Sequence, residues 1–182
     1  MTTATAPAVS TGTWTLDPVH SSVNFRVRHF GLTWLRGGFS EFDLTANVDD
    51  AGAVALEGST TVDTITFTNE QLKGHLLSPD FFDAQLHPKL TFKSTSVDFA
   101  ADGTATVVAD LTLKGVTKSV TLNGAWAAPT EGLGGDTRFG LELAGEINRN
   151  DFGISWAAQL ANGADVVASK VKLEGEFELV KS

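Results

Sequence analysis

The chain has no cysteine and no tyrosine, and a single methionine among its 182 residues. Without cysteine there is neither a disulfide framework nor a thiolate metal site. Cations are scarce as well. Thirteen Lys and Arg stand against 22 Asp and Glu, a formal net charge of −9. Phosphate recognition needs clustered Lys and Arg, so this balance argues against nucleic acid as a partner. It argues equally against electrostatic docking on an anionic membrane. No apolar run approaches the ~18 residues of a membrane span, so no stable membrane insertion is expected.

Residues 1–12 (MTTATAPAVSTG) lack the basic n-region and the apolar h-region of a signal peptide. Small, polar and proline-containing, they read as a disordered N-terminal tail ahead of one domain over residues 13–182, and the expected location is cytoplasmic. The four histidines form no HExxH and no short pair at strand spacing, so no metal site is expected. GxSxG and P-loop signatures are missing too, and nothing points to an enzyme or a cofactor.

What is present, with a hydrophobic share of 42% to build a core, is alternation. In Asp17–Gly31 (DPVHSSVNFRVRHFG), Val23, Phe25 and Val27 point one way while Asn24, Arg26 and Arg28 point the other. Side chains on a strand alternate faces, so this is a half-buried strand with a dry and a wet side. His29 falls in phase with the dry side, where a polar group needs a partner. Either it bonds a backbone carbonyl or it meets the head of a ligand.

The same period recurs in Thr13–Asp17, Gly37–Val48, Ala53–Asp63, Lys89–Phe99, Thr104–Leu113, Val120–Trp126, Arg138–Asn148 and Lys170–Leu179. One segment breaks it. Thr68-Asn69-Glu70-Gln71 has the form of a capping box with Thr68 as N-cap, and Leu72, Leu76 and Leu77 follow at helical spacing. Ser78-Pro79 opens a second short turn carrying Phe81 and Phe82. His75 reads as helix surface, and His87 as a cap of the second turn. His20, after Asp17-Pro18, reads as organising a turn.

Eight or nine long strands joined by turns form an antiparallel meander, and closure removes its edges. The expected fold is all-β: an eight-stranded antiparallel up-and-down barrel with a short helical insertion, a sandwich being the alternative. Four strands place glycine on the dry face, at Gly58, Gly124, Gly145 and Gly175. Such glycines mark bends, and they also withhold volume from the interior. Both readings stand on sequence alone. A hollow interior would be lined by Phe25, Val27, Phe42, Leu44, Trp126, Phe139, Leu141 and Phe177 and would suit a long hydrophobic molecule.

Several motifs then carry a family resemblance. Asp17–Gly31 with Gly37-Gly38-Phe39, Leu76–Asp83 (LLSPDFFD) with His87–Phe92 (HPKLTF), Asp110–Lys118 (DLTLKGVTK) and Ile147–Gly153 (INRNDFG) together resemble the YceI-like family, in order and across residues 13–180. The resemblance implies a lipocalin-like barrel that binds polyisoprenoid chains or similar amphiphiles, with a polyprenyl lipid or an isoprenoid quinone as partner and no catalytic residues. Leu76, Phe92 and the gate-like Phe81 and Phe82 join the expected lining. Arg149 sits at a strand end, either in a turn paired with Asp151 or at a barrel mouth able to meet phosphate. Two other functions remain compatible: an enzyme acting on an isoprenoid, and a filled barrel serving as an interaction module. An open mouth or edge would also allow a homodimer.

Overall fold

The computed structural model describes residues 8–182. Eleven strands are present: β1 (Gly12–Leu16), β2 (Ser22–His29), β3 (Thr33–Phe39), β4 (Phe42–Val48), β5 (Val54–Thr61), β6 (Ile65–Thr66), β7 (Lys89–Phe99), β8 (Thr104–Leu113), β9 (Val116–Glu131), β10 (Thr137–Asn148) and β11 (Val167–Lys181). All pairs are antiparallel, in the order β1-β4-β5-β7-β8-β9-β10-β11, and β1 pairs β11 to close the ring. This is an eight-stranded antiparallel closed barrel, as the alternation implies.

The three remaining strands continue its wall. β11 is long enough to pair β1 near its C-terminal end (Leu16↔Leu179) and β2 along its earlier part (Val27↔Val171). So β1 and β2 are one wall position interrupted at 17–21. β3 and β4 are likewise one position interrupted at 40–41, where the sequence pattern runs as a single strand from Gly37. The stretch Thr33–Arg36 is a strand that alternation did not reveal, because Trp34 faces outward and mimics a core residue. β6 meets β3 only at Gly38 and Phe39. Beyond that point β3 has no strand neighbour on its far side among the described residues, and the chain between β6 and β7 carries the helical insertion.

That chain holds α1 (Glu70–Leu77). Its N-cap is Asn69, whose side chain accepts from the Leu72 amide at 3.0 Å, one residue later than the capping box suggested. Asn and Thr cap by the same chemistry, and Asn69 is the one in register with the first free amide. Beyond Ser78 the chain forms short turns, as Ser78-Pro79 suggested, held by Phe82 N donating to Leu76 O and His87 N to Asp83 O.

The two halves of the interior differ. At one end, Trp14, Phe139, Phe99 and Trp126 interlock. Trp14 meets Phe139 edge-on at 5.1 Å and Phe99 stacks on Trp126 at 5.2 Å. Ala46, Ala105 and Ala109 make room for these rings among fully packed aliphatic neighbours. Both indoles are satisfied, Trp14 Nε1 by Ser10 O at 3.0 Å and Trp126 Nε1 by Ala100 O at 2.8 Å. Val9 is buried in the same cluster. The disordered tail expected for residues 1–12 therefore does not extend through residues 8–12, while residues 1–7 lie outside the described residues. At the other end a smaller cluster of Phe81, Leu111, Leu113, Ile147, Phe152 and Ile154 surrounds open space.

Candidate functional site: an apolar cavity in the open half of the barrel

A cavity of about 360 Å³ occupies this second half, within the size range of small-molecule sites. Its wall comes from the dry faces of β2, β3, β4, β5, β7, β8, β9, β10 and β11, with α1 and the segment after β10 closing over it. Period-2 burial places Phe25, Val27, Phe42, Leu44, Phe92 and Phe177 in the lining, and the helical insertion adds Leu76, Phe81 and Phe82. His29 and Arg149 line it as well. Trp126, Phe139 and Leu141, expected beside them, are instead in the packed end of the barrel. Their phase was right, but a strand of 12 or 16 residues runs the full length of the bore, and phase does not tell depth.

Glycine turns out not to create the space. A Cβ on Gly124 would lie 1.9 Å from Glu142 O, and one on Gly58 would lie 2.7 Å from Asp43 O. These positions let neighbouring backbones approach closely. At Gly145 the room is taken by Leu122, and at Gly175 by the Phe177 ring, which folds over it. Only Gly58 and Gly175 border the cavity at all. The strands of the wall are themselves interrupted at 17–21 and 40–41.

The polar groups gather at one corner. Arg149 is buried, in a single 3-10 turn (Arg149–Phe152) that ends at Gly153 with φ 71°. Its guanidinium donates to Ile154 O at 2.7 Å, Ala168 O at 3.0 Å and Val167 O at 3.2 Å. The pairing with Asp151 that the turn suggested does not form. Burial pushes the Arg149 pKa down, partly opposed by the charge of Asp165. Arginine holds its proton through such shifts, so the corner carries a fixed positive charge.

His29 sits next to it, since it is the strand partner of Val167. Its ring stacks on Phe30 at 3.9 Å, and among the described residues the imidazole has no hydrogen-bond partner. The carbonyl bond that would have made it a satisfied core histidine is not there. A third polar group was not anticipated. His75 Nε2 bonds Asp80 at 3.0 Å, and the ring meets Phe81 and Trp156 edge-on at 4.9 and 5.3 Å. It lines the cavity, where the sequence suggested plain helix surface. Trp156, Val166 and Leu35 were missed too. The first two lie on an irregular segment with no periodicity to read, and Leu35 lies on the unrecognised part of β3.

A second cluster lies at the closed end. Asp17, His20 and Glu178 bring possible ligand atoms within 4.8 Å of one another. Arg138 already bridges them, bonding Asp17 at 2.9 Å and Glu178 at 2.5 Å and also Asp136. The carboxylates are thus partly neutralised by a cation of the chain itself. The hydrogen bond from His20, with the Val19 amide and Arg138, holds the Asp17 carboxyl down to about 2, and Asp17 in turn raises His20 above 6.5. His20 does organise its turn, with Val19 N donating to Asp17 at 2.9 Å.

A family model described as "YceI-like domain" matches residues 14–179. The chain belongs to the YceI-like family. Protein YceI of Escherichia coli O157:H7 is 37% identical over 137 residues, covering 74% of this chain and 71% of that one. A UPF0312 protein of Ectopseudomonas mendocina (strain ymp) is 33% identical over 158 residues, covering 86% and 82%. Among solved structures the fold is similar to BcnA of Burkholderia cenocepacia, with TM-score 0.73 and 21% identity over 90% of this chain and 98% of that one. It is also similar to a polyisoprenoid binding domain from Saccharophagus degradans, with TM-score 0.66 and 17% identity over 93% and 98%. The barrel is the family's fold.

Proposed function

We propose that this protein binds the hydrocarbon tail of a long-chain isoprenoid, such as a polyprenyl lipid or an isoprenoid quinone, and stores or transports it. The observation that carries this reading is the apolar cavity of about 360 Å³, walled by Phe, Leu, Val and Ile and open within a barrel whose other end is packed solid. Each methylene moved from water into such a wall gains ~0.8 kcal/mol. A chain of a dozen or so buried carbons therefore binds tightly even after the cost of association. The polyisoprenoid binding named for the Saccharophagus neighbour points the same way.

His29 and Arg149 serve as the polar corner for an oxygenated head, while Phe81 and Phe82 act as the gate. Binding without turnover is the reading favoured by the side chains. Ser59 donates to Asp43 at 2.8 Å and Thr60 to Glu41 O at 2.6 Å. Among the described residues no histidine bonds either hydroxyl, so neither is set in a Ser–His arrangement. The filled-barrel alternative is disfavoured by the cavity itself.

The test is organic extraction of the purified protein followed by mass spectrometry, with thermal unfolding of the delipidated protein with and without added polyprenol. An isoprenoid in the extract and a ligand-dependent rise in Tm are expected. No lipid in the extract, together with no shift on adding polyprenol, would overturn the proposal. His29→Leu should leave the apo Tm nearly unchanged while weakening ligands with an oxygenated head more than plain hydrocarbon.

A further inference from the structure

The outer face of the β2–β3 hairpin carries an arrangement that stability alone disfavours. Arg26 is the direct cross-strand partner of Arg36 on one side and of Lys172 on the other. Three cations thus stand abreast on three adjacent strands, where like charges directly opposite destabilise a sheet. Arg28 completes the group, opposite Trp34. The indole partly relieves the repulsion: Arg28 lies 4.2 Å from its ring centre, Arg26 5.0 Å and Lys172 5.6 Å. Among the described residues only Arg26 of the four forms an ion pair, with Glu174 at 2.8 Å, and its Nε is buried without any hydrogen bond; Glu146 stands across from Lys172 on its far side without bonding it. A chain of net charge −9 has thus placed three of its thirteen Lys and Arg around one tryptophan, with a fourth, Arg36, directly across from Arg26.

The tip of the same hairpin is apolar. The turn runs through Phe30 and Gly31 at φ 53° and 70°, and Leu32 beyond it is 76% exposed. The inward face of this hairpin is cavity wall, through His29 and Leu35. The neighbouring Leu72 on α1 lines the cavity while 43% exposed, which marks this end as the one where the bore meets water.

We propose that the β2–β3 hairpin docks the open end of the barrel on an anionic bilayer, with the four cations on lipid phosphates, Trp34 at headgroup level and Leu32 in the interface. A bilayer is favoured over nucleic acid because an exposed leucine borders the cations and because an apolar chain passing through this mouth must come from, or go to, a lipid phase. Tryptophan between water and hydrocarbon and cations on phosphate are the usual interfacial anchors. The proposal rests on the lipid-binding reading, but its test does not.

Flotation of the whole protein with phosphatidylcholine vesicles containing phosphatidylglycerol is the assay. Binding at low salt, abolished at high salt and weak on pure phosphatidylcholine, is expected. Arg36→Gln combined with Lys172→Gln should lower partitioning about twenty-five-fold, at roughly five-fold per surface cation. Lys93→Gln with Lys118→Gln, on the β7 and β9 wall, should change it little. Because the chain has no cysteine, a polarity-sensitive dye on Leu32→Cys should shift to the blue on these vesicles, and one on Leu133→Cys, in the turn at the packed end, should not. No flotation, equal loss in both double variants, or a shift at residue 133 and not at 32 would each overturn the proposal. So would binding of nucleic acid or soluble polyanion in place of vesicles. Flotation by a protein that takes up no isoprenoid would leave docking standing and remove the cargo reading instead.

Discussion

Filling the cavity should separate lipid capture from folding. Val27 is at mid-strand in β2, between Leu35 and Val171 of the flanking strands, and all three line the cavity. In Val27→Trp the added ring atoms enter space that is already open, so the apo protein should lose little stability. The ring displaces the equivalent of roughly five methylenes of ligand, about 4 kcal/mol at ~0.8 kcal/mol each. That is about a thousand-fold in Kd. The readout is the rise in Tm on adding polyprenol to delipidated protein. With ligand at about a hundred times Kd the gain is ~2.7 kcal/mol, and at ~2–4 °C per kcal/mol for a chain of this size the wild type should rise by about 5–11 °C. Val27→Trp should show almost none of this. Leu141→Ala, in the packed end, should do the opposite: about 2–5 kcal/mol off the apo stability with the ligand-dependent rise retained. A Val27→Trp protein that keeps the full ligand-dependent rise would show that the chain lies elsewhere, and the cavity argument would fail.

The glycines offer a second check. Gly124→Ala forces a Cβ against Glu142 O and should cost about 3 kcal/mol or more in denaturant unfolding. Gly145→Leu must evict Leu122 and should likewise register as lost stability, not as selective loss of lipid. Arg149→Met leaves three carbonyls short of a donor and should cost about 3 kcal/mol, with faster amide exchange in the chain from Gly153 to Val166. The Asp17–His20 pair should titrate visibly by NMR, Asp17 near 2 and His20 above 6.5. The raised His20 value means that its contribution to stability is complete below pH 6.5 and fades as pH rises through the folded value. The depressed Asp17 value means a contribution present above 3.8 and lost as pH falls toward about 2. His20→Ala should move Asp17 back toward 3.8, and an unmoved Asp17 would refute the assigned cause.

Alternation along single strands carried most of the architecture. Val23, Phe25 and Val27, or Leu173, Gly175 and Phe177, announce an inward face because the strand period of two is a local property of the backbone. Closure followed from the number of such strands and the cost of free edges. Sequence also marked Phe81 and Phe82 as part of a distinct insertion. It could not tell Phe42, which borders the cavity, from Phe139, which fills the core, because both obey the same phase. Depth along the bore depends on register between strands far apart in the chain, and register is a tertiary quantity.

The same limit hid the charge. Overall composition, at −9, argued against anionic surfaces, yet Arg26, Arg36 and Lys172 come together only when β3 and β11 pair on either side of β2. Sequence by itself determined which faces are dry, favoured a closed barrel over a sandwich, and carried the motifs of the family to which the barrel belongs. Tertiary structure alone decided which half of the barrel is hollow, that the inward glycines sit against neighbouring backbone and side chains, and where the few cations gather. Each of these depends on side chains brought together across strands, which no local period encodes.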